Sequence, residues 1–233
     1  MKDFDFEKGE VLLIDKPQTW TSFDIIKKLR YALKVKKIGH AGTLDPLATG
    51  LLIVCTGKFT KRINKFQGMD KTYEGIIELG KTTPSYDLET EFDSEAEFSS
   101  ITEIDLLNAA KLQTGSFDQI PPVFSAIKVD GKRAYKSARN NEELVMKSRP
   151  VQIEEFEITK IDLPEVHFKI VCSKGTYIRS MAHDFGKELG CGAYLKYLRR
   201  TAIGDFMVGD TYDLQELIAH AEKLRAEKNS ELS

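Results

Sequence analysis

Two side chains able to do chemistry stand close together in "KKIGHAGTLDPLATGLLIVCTG" (36–57): His40 and Asp45. Four glycines and Pro46 punctuate the stretch, and an apolar, strand-like run over 51–56 follows it. A carboxylate held at a strand edge can act as nucleophile or base. Asp-Pro with glycine is also ordinary turn chemistry, so composition alone leaves both readings open. "KTYEG" places Tyr73 within a strand, and "CSKGTYIRSMA" places Tyr177 and Arg179 at a helix start. Taken singly, these are more often packing or surface residues. An arginine near Asp45 would keep it ionised. Aromatic rings beside such a carboxylate would suit a planar base.

Competing chemistries are weaker. "GIIELGKT" (75–82) fits the P-loop pattern through Gly75, Gly80, Lys81 and Thr82. That mechanism needs the glycines to follow a strand and open a helix whose amides hold phosphate. Here "IIEL" itself reads as the strand, and the acidic, turn-like "TPSYDLETE" comes next, so the match reads as chance. His40, His167, His183 and His220 do not pair with cysteines at zinc spacing, so no metal site is expected. No nucleophile-elbow pattern supports a serine hydrolase.

The elements that must carry these residues follow from periodicity. "EVLLIDKP" (10–17) reads as a buried strand ended by Pro17. "TSFDIIKKLRYALK" (21–34) reads as a helix capped by Thr21 or Ser22, with Phe23, Ile26, Leu29 and Leu33 as its apolar stripe. A short basic helix is expected near "KFTKRINKFQ" and a strand over 71–80. Ser100 and Glu103 form a capping-box pattern for a helix that Gly115 ends. "VQIEEFEITKI" and "VHFKIVC" read as paired strands, 176–189 as a helix stopped by Gly190, and 212–233 as a C-terminal helix with a polar tail. Strands mixed with a few helices predict one α+β domain over 1–233.

The chain has 233 residues and a net charge of −2, which at face value argues against a nucleic-acid binder. Distribution matters more than the sum. Residues 86–105 hold many carboxylates and no base, whereas "KVDGKRAYKSAR" (128–139) and "LKYLRR" (195–200) are strongly basic and carry tyrosines. Each run alone reads best as solvated surface; the interleaved tyrosines favour a polyanion site. The N-terminus is charged and has no apolar h-region, so no secretory signal is expected. The three cysteines, odd in number and widely spaced, suit buried thiols in a reducing cytoplasm better than disulfides. No run is long enough to span a membrane.

Together "GHAGTLDPLATGLL", "GEVLLIDKPQTWTSFDII", "IPPVFSAIKVDGKRAYKSAR" and "CSKGTYIRSMAHDFGKELGCGAYLKYLRRTAIGDF" closely resemble four ordered blocks of the bacterial tRNA pseudouridine synthase B family. The resemblance implies isomerisation of uridine 55 in the T-loop of tRNA. It implies a mixed, mainly antiparallel β-sheet flanked by helices and loops around an RNA-binding cleft. Asp45 is similar to the catalytic aspartate, Tyr73 to the active-site tyrosine packed on the uracil, and Arg179 to the partner of the carboxylate. His40, Tyr177 and Leu198 match substrate-contacting positions. Residues 122–150 resemble an RNA-gripping insert, with Lys128, Lys132, Arg133, Lys136 and Arg139 as phosphate contacts. Substrate and product are isomers, so no cofactor or metal is expected. The expected partner is the tRNA T-arm, with no obligate protein partner and a monomer by default.

The chain departs from the family pattern in four places. No PUA domain is expected after the catalytic blocks, since a charged helix follows "RRTAIGDF". Thr19–Trp20 stands where a glycine-containing turn is frequent, Phe124 where tyrosine is usual, and "TTPSYD" where the consensus is more acidic. A tRNA-folding chaperone in which isomerisation is secondary is an alternative from another class. It predicts that loss of Asp45 removes the modification but spares tRNA maturation.

Overall fold

The computed structural model describes residues 4–125, 127–129, 132–134 and 144–231. In chain order the elements are β1 (Val11–Lys16), α1 (Ser22–Leu33), β2 (Ile38–Ala41), β3 (Thr49–Thr56), a 3₁₀ turn (Gly57–Arg62), α2 (Ile63–Gly68) and β4 (Lys71–Leu79). Next come β5 (Lys81–Thr82), β6 (Ser94–Glu95), α3 (Glu103–Leu112), β7 (Gly115–Gln119), β8 (Lys128–Val129) and β9 (Lys132–Arg133). The chain closes with β10 (Arg149–Asp162), β11 (Glu165–Cys172), α4 (Ile178–Glu188), β12 (Ala193–Ile203), β13 (Phe206–Met207) and α5 (Leu214–Glu231). Among the described residues no helix is long and apolar enough to cross a membrane.

The chain forms two compact units, one of residues 1–71 with 199–233 and one of residues 72–198. In the first, β3 lies between β1, which is antiparallel to it, and the end of β12, which is parallel. The run "LLIVC" is buried on both faces. Leu52 and Val54 join Leu12 and Ile14 under α1 and α5, packing with Ile25, Ile26, Leu29, Leu33 and Leu217. Leu51, Ile53 and Cys55 face the other way onto Phe66 and Ile203. Burial on both faces is why the sequence is continuously apolar rather than alternating. Each buried Leu or Ile contributes roughly 1.5–3 kcal/mol. Gly50, the second residue of β3, has φ +102°, and a Cβ there would sit 2.3 Å from the Arg200 carbonyl oxygen. Glycine is required there by both conformation and space.

In the second unit the strand order is β12–β4–β11–β10–β7. β10 pairs antiparallel with both β11 and β7. Phe156 bridges the sheet to α4, meeting the Phe168 ring edge-on and the Phe185 ring at a tilt. A Cβ at Gly75 would lie 2.5 Å from both the Phe168 ring and the Tyr197 carbonyl oxygen. That glycine of the P-loop match therefore serves close strand packing, and the match lies in β4 and β5 with no helix opening after Thr82.

The α+β expectation holds, as a mixed sheet with flanking helices. Several details differ. Phe23 is 62% exposed, and Ile25 takes its place in the α1 core face. The capping box of α3 is Thr102 with Asp105, because Thr102 is the residue whose side chain reaches the N3 amide. Gly115 starts β7 instead of ending a helix. The basic run 195–200 is strand rather than solvated patch: Arg200 is buried, and Lys196 pairs with Glu78 and Glu165.

Candidate active site

The predicted site residues fall in both units. His40 and Asp45 belong to the first, whereas Tyr73, Tyr177, Arg179 and Leu198 belong to the second.

In the first unit, Asp45 sits half-buried in the short connection between β2 and β3. Hydrogen bonds bracket it on both sides. Ser22, the buried first residue of α1, accepts from the Leu44 amide at 2.9 Å and donates to the Leu44 carbonyl at 3.2 Å. The Pro46 carbonyl accepts from the Thr19 amide at 2.8 Å and from the Lys16 ammonium at 3.3 Å. The Ala48 amide donates to the Asp45 carbonyl at 3.1 Å, closing a turn. Arg200 donates through Nε to Leu51 at 2.8 Å and through a terminal nitrogen to Gly42 at 3.2 Å. A carboxylate on a backbone held from both sides needs little reorganisation to react.

Lys16 is the most unusual group here. It is fully buried and also donates to the carbonyls of Pro17 at 2.9 Å and Trp20 at 2.6 Å. Burial lowers its pKa to about 8; the Arg200 charge acts the same way, and Asp45 and Asp24 oppose it. Asp15 and Arg199 form a two-pronged ion pair beside it in sequence, with contacts of 3.1 and 2.5 Å. His40 lies on β2, and burial lowers its pKa, so the imidazole is neutral at pH 7; a backbone hydrogen bond at Gly42 works against the shift and Arg200 adds to it. Its Nδ1 has no hydrogen-bond partner among the described residues.

In the second unit, Tyr73 is buried on the same face of β4 as Gly75, Ile77 and Leu79. Tyr177 is the N-cap of α4, and Gln119 fixes it by accepting from its amide at 2.8 Å and donating to its carbonyl at 3.0 Å. Arg179, two residues on, is buried. It donates to the carbonyls of Ser85 at 3.1 Å and Phe124 at 2.9 Å, and its Nε lies 3.6 Å from the buried Asp87 carboxylate. The loop that supplies Ser85 and Asp87 is itself knotted. The Thr83 and Ser85 hydroxyls both donate to the Asp87 carbonyl, and Tyr86 has φ +64° with its ring stacked on His183 at 3.9 Å. Leu198 is buried in β12. Lys128, Lys132 and Arg133 lie on the β8–β9 hairpin; Lys136 and Arg139 lie outside the described residues.

Sequence reasoning missed the supports: Lys16, Ser22, Arg200, Asp87 and Gln119. Only Lys16 left a signal, a lysine within a strand whose first four residues, Val11 to Ile14, are apolar.

Residues 30–178 match the TruB family pseudouridylate synthase N-terminal domain, and residues 179–233 match the tRNA pseudouridylate synthase B C-terminal domain. The chain belongs to the TruB family of pseudouridylate synthases. As a TruB-family enzyme it is an isomerase that converts uridine to pseudouridine. It is 54% identical over 217 residues to the tRNA pseudouridine synthase B of Flavobacterium johnsoniae, covering 90% of this chain and 95% of that one. To the protein of the same name from Parabacteroides distasonis it is 54% identical over 207 residues, 86% of this chain and 88% of the other. The TruB fold also appears in the crystal structure of a Cbf5-Nop10-Gar1 complex, with TM-score 0.70 and 26% identity. That match covers 92% of this chain and 54% of that one, so the chain spans about half the length of that neighbour.

Proposed function

We propose that this chain isomerises uridine 55 in the T-loop of tRNA. The carrying observation is 54% identity to a protein named tRNA pseudouridine synthase B over 95% of that protein's length. Asp45 is the reacting carboxylate. It opens the N1–C1′ bond, either by attack or assistance at C1′ or by addition to C6, and the base reattaches through C5. Arg179 supplies the counter-charge that keeps a carboxylate ionised. Tyr73 packs on the uracil and serves as base or relay for the C5 proton. His40, Tyr177 and Leu198 contact the flipped nucleotide.

Flipping a base out of a folded loop costs roughly a few kcal/mol. Stacking on an aromatic ring returns about 1–3 kcal/mol. Phosphate contacts from Lys128, Lys132, Arg133, Lys136 and Arg139 offset the rest. The bracketed backbone of Asp45 supports this reading, because a nucleophile must be presented without a search. The enzyme acts in the cytoplasm, as a monomer, and needs no cofactor.

The test is incubation of the protein alone with a T-arm stem–loop transcript. Carbodiimide treatment and primer extension should show one stop, at the uridine corresponding to position 55. An unmodified transcript, or modification elsewhere only, overturns the proposal.

A further inference from the structure

The exposed face of α1 is cationic although the chain as a whole is acidic. Lys27, Lys28, Arg30 and Lys34 are all exposed there, and Lys36 and Lys37 extend the charge beyond the helix. Between 21 and 37 the single acid is Asp24, whose carboxylate accepts from the Thr21 amide at 2.8 Å and the Thr21 hydroxyl at 2.6 Å. The four cations of α1 and its C-cap form no salt bridge among the described residues, although Lys27 lies near enough to Asp24 to help lower its pKa. Positive charges three and four residues apart repel one another on a helix by a few tenths of a kcal/mol per pair. A surface that keeps them without local partners is open to an external anion.

The same face lines an open groove of about 1310 Å³ in the first unit, the Thr19 turn at one side and Glu222 of α5 contributing an acid. Two aromatic rings stand among its charges. Tyr31 is 87% exposed, and Trp20 is half-buried with its flank on the helix core. Lys27, Arg30 and Lys34 rise along one side of α1 over roughly 10 Å at 1.5 Å per residue. A row of charge of that length matches a repeated anion better than a single phosphate. Exposed aromatics beside it suit sugar and base faces.

We infer that the α1 groove, through Lys27, Lys28, Arg30 and Lys34 with Tyr31 and Trp20, binds the phosphodiester backbone of the tRNA outside the T-arm stem–loop. This rests on the tRNA reading above and extends it to a second RNA contact.

The decisive variant carries Lys27→Gln, Lys28→Gln and Arg30→Gln together. Glutamine is a good helix former, and all three positions are exposed, so the fold is retained; circular dichroism checks it. Kd is measured for full-length tRNA and for the isolated T-arm stem–loop over a range of salt. Wild type should bind full-length tRNA more tightly than the stem–loop. The variant should lose about tenfold or more for full-length tRNA at ~0.1 M salt, and its log–log salt slope should fall by about 2–3, roughly one per lost phosphate contact. Stem–loop affinity and turnover should not change. Tyr31→Ala should weaken full-length tRNA binding alone without changing the salt slope. Unchanged affinity and slope for full-length tRNA in the triple variant overturns the inference and leaves the groove to an acidic protein. Equal loss on both RNAs overturns it as well. If wild type forms pseudouridine in neither RNA, the catalytic proposal fails, and the two binding comparisons still decide the groove.

Discussion

The ammonium of Lys16, at the end of β1, donates to the carbonyl of Pro46, the residue that follows Asp45. A buried cation thereby fixes one flank of the proposed nucleophile, and the hydroxyl of Ser22 fixes the other through Leu44.

Asp45→Asn should abolish pseudouridine formation and leave RNA binding within about tenfold, roughly 1.4 kcal/mol. Single-turnover assays with filter binding measure both. Turnover at the wild-type rate would remove Asp45 from the chemistry.

Lys16→Met keeps the length of the side chain and deletes its hydrogen bonds. Pro46 retains the Thr19 amide, whereas the Pro17 and Trp20 carbonyls lose the ammonium. A buried acceptor left without its donor costs about 1–3 kcal/mol, so urea unfolding at pH 7 should show a loss of that size, with turnover reduced in the refolded protein. The pH dependence has a definite sign. The folded pKa of about 8 lies below the ordinary 10.5. Between these values the unfolded chain holds a proton that the folded chain has released, so stability contributed by this group rises with pH. Wild type should therefore gain stability relative to Lys16→Met from pH 8 to 10.5; a parallel pH course for the two proteins would contradict this.

Thr19 has φ +70°, a conformation that β-branched residues rarely adopt. Its amide must still reach Pro46 at 2.8 Å. Thr19→Gly should relieve strain of about 1–2 kcal/mol, less the larger entropy of a glycine in the unfolded chain, for a net gain of about 0.5–1 kcal/mol. The thermal midpoint reads this directly, and a lower midpoint would count against strain at this turn.

Asp87→Ala removes a buried carboxylate 3.6 Å from the Arg179 guanidinium. Breaking a buried pair from one side costs about 3–5 kcal/mol, and the carbonyl bonds of Arg179 place the expected loss near the lower figure. Asp87→Asn should recover part of the stability because the amide oxygen still accepts. Equal stability of all three proteins would show that the pair contributes nothing.

Tyr73→Phe removes only a hydroxyl from a buried ring. Turnover should fall with affinity nearly unchanged, measured as a kcat effect without a KM effect. Wild-type kcat would exclude a proton role for the hydroxyl.

Much of this architecture could be read from local pattern. The apolar run at 51–56 marked a strand, which the fold buries on both faces, and Thr21 or Ser22 marked the start of α1, where Thr21 is the cap. Other features could not be read, because they depend on partners far away in the chain. Phe23 looked like core by spacing, yet the helix rotates Ile25 inward because the α5 residues Leu217 and Ala221 complete that side. The run at 195–200 looked like a solvated basic patch. Arg200 is buried because the Leu51 and Gly42 carbonyls, some 150 positions away in sequence, await donors.

By itself the sequence determined the family and the α+β class and supplied the proposed reactive residues, since these rest on ordered blocks and side-chain type. It also raised the question at Thr19, a β-branched residue where relatives of its pattern favour a glycine-containing turn; the left-handed backbone at that position supplies the physical reason. Only the tertiary structure decided what holds Asp45 and Arg179 in place. Lys16, Ser22, Arg200 and Gln119 act on backbone carbonyls and amides, and Asp87 acts through its carboxylate on Arg179 from a distant loop. Any residue type can offer backbone groups, so their positions leave no trace in side-chain pattern until the chain is folded.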